Sequence, residues 1–73
     1  MTDPRLDFWA ERVLSEIAGL DDEAMYEKLG REMRDAQAAR DAGRGPCQSD
    51  YNRIGRRLME VHERVQNNRR SAA

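Results

Sequence analysis

Apolar residues recur at three- and four-residue intervals in three stretches of this chain, the spacing of amphipathic helices. In the first stretch Leu6, Trp9, Ala10, Val13, Leu14, Ile17 and Leu20 form an apolar face, while Asp7, Glu11, Arg12 and Glu16 fill the remaining surface. Asp3 is placed to cap this helix, and Pro4 to occupy its first turn, where a missing N–H does no harm. Gly19 suits a left-handed position at its C-terminus. The pattern predicts helix 1 over residues 4–19.

Asp21 or Asp22 then caps a second helix over 22–42, with Asp22 and Glu23 at the positive end of its dipole. Its seam reads Met25 or Tyr26, Leu29, Met33, Ala36, and Ala39 or Arg40. Glu27 and Arg31 have the spacing of an i,i+4 ion pair. Gly30 falls mid-helix, where it costs roughly 1 kcal/mol of propensity against Ala and points to a close crossing or a kink. Gly43 stops the helix, and the Gly-Arg-Gly-Pro run that follows is turn chemistry, giving a loop over 43–49. Ser49 or Asp50 caps a third helix over 50–67, with the stripe Tyr51, Ile54, Leu58, Val61 and Val65, and Met59 and His62 on its flanks. Asn67-Asn68 reads as a stop and 68–73 as a frayed tail.

These elements predict an all-α fold in one domain spanning 1–73. It is a small three-helix unit, with helices 2 and 3 as a long antiparallel hairpin and the N-terminal helix completing it. Counting back from the loop sets Met33 near Leu58 or Met59, Leu29 near His62, and Met25 and Tyr26 near Val65. A chain of 73 residues buries only about 60% of its extended surface, so its core is expected to be completed by oligomerisation.

Charge sharpens the picture. Residues 1–42 hold six basic and eleven acidic side chains, and residues 43–73 hold seven and three, so a net of −5 precedes a net of +4. A chain polarised in this way pairs with itself or with a copy, or offers a basic face to an anion. No apolar run approaches the roughly 20 residues a bilayer span needs, so no membrane association is expected. Acidic side chains interrupt the first twenty residues, so a secretory leader is not expected and the cytoplasm is the expected compartment. One Cys excludes an intrachain disulfide, and one Cys with one His argues against a zinc site.

Few residues carry chemistry. His62 has no His at helical spacing and no partner cluster, and is read as a half-buried residue beside the seam. Cys47, just before helix 3, is read as a free loop thiol, with an interchain disulfide in oxidised preparations as the lesser reading. No glycine-rich phosphate loop and no nucleophile–base pair is present, so neither an enzyme nor a cofactor is expected.

Two surfaces remain. Phe8 and Trp9 are adjacent and cannot face the same way on a helix, so one belongs to the core and the other is exposed or covered by a partner. With Arg12 and Tyr26 they are the candidate protein interface. Arg53, Arg56, Arg57 and Arg64, extended by Arg44, are the candidate anion or nucleic-acid site. Asp50 and Glu60 are spaced to neutralise part of that cluster, and acidic helix 1 offers more. The slightly acidic pI, about 5.8, disfavours a dedicated nucleic-acid binder. The expectation is a non-enzymatic regulatory, adaptor or inhibitor protein of bacterial or phage style, docking through a helical face. It is expected to pair with itself as a homodimer or higher oligomer and with another protein. The alternative is a dimeric helical binder of nucleic acid or another anion, using helix 3.

Overall fold

A computed structural model describes residues 8–72 of the chain. Its elements are α1 (Trp9–Ile17), α2 (Asp22–Asp41) and α3 (Gln48–Ala72), with no strand among the described residues. The predicted all-α unit is the fold: α2 and α3 form an antiparallel hairpin, and α1 packs against both. The molecule is elongated, 47 × 22 × 16 Å, because α3 alone, at 25 residues, runs roughly 37 Å.

The helix ends depart from the sequence reading. α1 starts at Trp9, and Phe8 takes the N-cap position with φ −119° and no side-chain cap. The predicted cap Asp3, Pro4 and core residue Leu6 lie outside the described residues. α1 ends at Ile17, and Gly19 is not left-handed; Gly43 and Gly45 are the positive-φ residues. Leu20 follows the end of the helix instead of continuing its stripe, and is therefore 36% exposed.

α2 is capped as expected by Asp21, whose Oδ1 accepts from the Ala24 N–H at 2.8 Å. Its other end closes in a Schellman motif. Gly43 N–H donates to Arg40 O at 2.9 Å and Arg44 N–H to Ala39 O at 2.8 Å. The motif requires Gly43 at φ +77°, which a side chain would make costly.

α3 is longer at both ends than its pattern predicts. It starts at Gln48, so Ser49 and Asp50 stand inside the first turn and neither is the cap. Arg40 ties the reversal together, donating to Pro46 O at 2.9 Å and to Gln48 Oε1, with its guanidinium 4.8 Å from the Tyr51 ring centroid. Asn67-Asn68 does not stop the helix, and the predicted tail 68–72 is helical. The hairpin supplies the reason. Asn68 Nδ2 donates to Asp22 Oδ2 at 3.3 Å and Arg69 pairs with Glu23 at 3.3 Å, while Arg69 and Arg70 complement the negative end of the dipole.

The core is the three predicted stripes meeting. Trp9, Ala10, Val13 and Ile17 from α1 are buried against Leu29 and Ala36 from α2 and Ile54, Val61 and Val65 from α3. Met25, Tyr26, Met33, Tyr51, Leu58 and Leu14 are partly buried around them. Each fully buried large side chain contributes about 1.5–3 kcal/mol relative to exposure.

The hairpin register is offset by about one turn from the expected one. His62 faces Tyr26, which was expected near Val65, with ring centroids 5.4 Å apart. Met33 faces Gly55, where an added Cβ would lie 3.3 Å from Met33 Cε. Tyr51 donates to Gln37 at 2.7 Å. At the far end Met25 meets Arg64, its Sδ 4.0 Å from the guanidinium. The offset arises at the loop, since α3 begins before the position its predicted caps imply.

Candidate functional site

The adjacent aromatics divide cleanly. Trp9 is 1% exposed and Phe8 is 72% exposed. Trp9 fills the core, and its indole N–H is aimed sideways at Glu32 Oε2, 3.1 Å away on α2. A buried indole needs such an acceptor. The partner was not legible in the sequence, because Glu32 reads as one more charge on the polar side of helix 2.

Glu32 is the centre of a clasp between α1 and α2. Arg12 lies 2.9 Å from Glu16 and 3.5 Å from Glu32, and Lys28 lies 2.9 Å from Glu16 and 3.6 Å from Glu32. The hydrogen bond from Lys28, then that from Arg12, holds the Glu16 carboxyl below its ordinary 4.5. The same bond to Glu16 lifts Lys28 above 10.5. Arg12, a candidate interface residue, is thus occupied within the fold. The predicted Glu27–Arg31 pair does not form among the described residues; Lys28–Glu32 is the i,i+4 pair on α2.

The arginines of α3 separate into tied and open groups. Arg57 pairs with Glu60 at 3.2 Å, and Arg64 with Asp22 at 3.2 Å. The neutralising carboxylates come from α3 itself and the start of α2, and none comes from α1 among the described residues. Arg53 and Arg56 form no ion pair among the described residues. With Leu14, Arg57 and Glu60 they line a shallow pocket of about 360 Å³ between α1 and α3. The Nε of Arg57 is buried without an acceptor among the described residues. Arg44 stands apart, exposed in the loop.

No protein-family model, curated protein or solved structure matches this chain. The chemistry of its surface is therefore the guide to function. No group of three or more His, Cys, Asp or Glu is placed to hold a metal among the described residues. No helix there is long and apolar enough to cross a membrane. Cys47 is a free, exposed thiol. His62 is exposed, not half-buried as expected, because the register sets it on the outer edge against Tyr26.

Tyr26, the remaining interface candidate, is half-buried and opens onto a second concavity. This is a groove of about 700 Å³ between α2 and α3, lined by Tyr26, Gly30, Met33 and Leu58 and edged by Glu27, Arg31 and Arg34. Glycine explains it in part. A Cβ at Gly30 would meet only Arg34 Nη1, 3.8 Å away, so Gly30 makes open space; the close approach of the helices is at Gly55. Gly55 carried no signal in the sequence, since a glycine between Ile54 and Arg56 fits the polar side of helix 3 equally well.

Proposed function

We propose that this chain is a non-enzymatic helical docking protein, of the regulatory or adaptor kind, that binds another protein through the start of α1. The observation that carries this is the phenyl ring of Phe8, 72% exposed beside a Trp9 that is locked in the core. Burying such a ring in a partner's pocket is worth roughly 2 kcal/mol or more. Glu11, exposed one turn further along, favours a pocket with a basic rim. Placing a photoreactive phenylalanine analogue at position 8 in native lysate tests this, with the analogue at position 63 as control. The expected result is a nuclease-resistant protein adduct from position 8 alone, competed by excess wild-type chain and not by Phe8→Ala. Identical adducts from both positions, or adducts that Phe8→Ala competes equally well, contradict the reading.

A second reading has one specific observation in its favour: Arg53 and Arg56, both exposed and in no ion pair among the described residues, line one pocket with Arg57. Phosphate oxygens of nucleic acid are the acceptors such guanidinium groups take. On this reading Arg53→Ala with Arg56→Ala removes two phosphate contacts and flattens the log–log salt dependence of duplex binding by about 1.8. An unchanged slope removes it.

A further inference from the structure

The groove between α2 and α3 lies on the side of α2 away from Lys28 and Glu32, which meet α1. Its floor is Tyr26, Met33 and Leu58, and its α2 edge carries Glu27, Arg31 and Arg34 in that order. Met59, 74% exposed, stands one helical turn from both Gly55 and His62 on α3. Glu27 and Arg34 are seven residues, two turns, apart on one face of α2. Neither forms an ion pair among the described residues, unlike Lys28 and Glu32 on the side of α2 that meets Arg12 and Glu16 of α1.

The order of those charges says what fits. An isologous contact sets each residue against its mirror position across a two-fold axis. With two α2 helices antiparallel and the axis beside Gly30 and Arg31, Glu27 of each copy falls opposite Arg34 of the other. Arg31 then lies over Gly30, which has no side chain of its own and where the flexible Arg34 head, 3.8 Å from the place of a Cβ, swings out towards Glu27 of the other copy; the Arg31 stem covers apolar surface while its head reaches water. The stripe is complementary to its own reversal, with an acid at one end, a base at the other and a glycine between. We propose that this groove is a homodimer interface, in which α2 of a second copy lies antiparallel across α2 and the two chains exchange Glu27–Arg34 ion pairs. The partner copy covers Tyr26, Met33 and Leu58, which one chain of 73 residues leaves half-exposed.

Charge reversal tests the pairing directly. The full chain is followed by sedimentation equilibrium from low micromolar to several hundred micromolar, with circular dichroism confirming that every variant is helical. Wild type is expected near twice its 8.5 kDa chain mass. Glu27→Arg alone and Arg34→Glu alone are each expected to raise the dimer dissociation constant at least tenfold. Mixing these two variants in equal amounts is expected to restore a dimer, because each then supplies the charge the other lacks. A wild-type chain that stays at 8.5 kDa, reversals that leave the dimer unchanged, or a mixture that remains monomeric each overturns the proposal.

Discussion

Trp9 donates its indole N–H to Glu32 Oε2 at 3.1 Å, joining the first residue of α1 to the middle of α2 across 23 positions of sequence. That bond fixes which of two neighbouring aromatics is structural. The Trp9 ring is held inward by packing and by Glu32, while Phe8, at the N-cap outside the helix, stands out to solvent.

Removing the acceptor leaves a part-buried N–H without a partner and dissolves half of the α1–α2 clasp. Glu32→Ala is expected to lower stability by about 1–2 kcal/mol, and Glu32→Gln by less, because the amide oxygen still accepts from Trp9. Urea midpoints of the two variants check this. Equal losses would show that the charge, not the indole bond, is what matters.

Leu29 is fully buried, whereas Leu58 lines the groove and is half-buried. Leu29→Ala should therefore cost about 2–5 kcal/mol, and Leu58→Ala roughly half as much. Both are measured at low micromolar concentration, where self-association contributes least. A larger loss at Leu58 would place it, and not Leu29, at the centre of the core.

Gly55 is the point where α3 comes against Met33. Gly55→Ala is expected to fall within about 1 kcal/mol of wild type, since the gain in helix propensity offsets the small shift asked of a flexible Met33 end. Gly55→Leu is too large for that gap and should cost about 1–3 kcal/mol. Thermal melts that coincide for all three proteins would mean that the helices do not approach there.

Glu16 gives the fold a pH dependence of known sign. Its folded carboxyl is held below 4.5 by Lys28 and Arg12, so in acid the unfolded chain takes up the proton first. The stabilisation is complete above pH 4.5 and is lost as pH falls through the lowered folded value. Lys28, raised above 10.5, contributes below pH 10.5 and loses its share as pH rises through its folded value. Melting temperature followed from pH 7 to 2.5 should fall less steeply below pH 4.5 for Glu16→Gln than for wild type. Parallel curves would mean that the clasp is open in solution.

The stripes that build the core were legible because burial follows period: Val13, Leu29, Ile54, Val61 and Val65 stand where a three-and-four spacing puts them. Trp9 and Phe8 were legible as a pair, but the choice between them depends on Glu32, a tertiary contact that no periodicity encodes. Register failed for a related reason. α3 begins at Gln48, ahead of the caps that Ser49 or Asp50 suggest, and only packing against Met33 marks Gly55 as the close approach. The end of α3 was misread because Asn67-Asn68 is a local stop signal, outweighed by Asp22 and Glu23 from another helix. Arg53 and Arg57 looked alike as neighbouring charges until Glu60 tied one of them.

The division of labour between Phe8 and Trp9 is the centre of this account, and paired urea unfolding of Phe8→Ala and Trp9→Ala tests it most directly. A ring that serves only a partner contributes little to its own fold, so Phe8→Ala should unfold within about 0.5 kcal/mol of wild type. Trp9→Ala should lose about 3–5 kcal/mol through the cavity it leaves and the stranded Glu32. A loss at Phe8 comparable to that at Trp9 would make both aromatics part of the core and contradict the assignment of Phe8 to a binding surface.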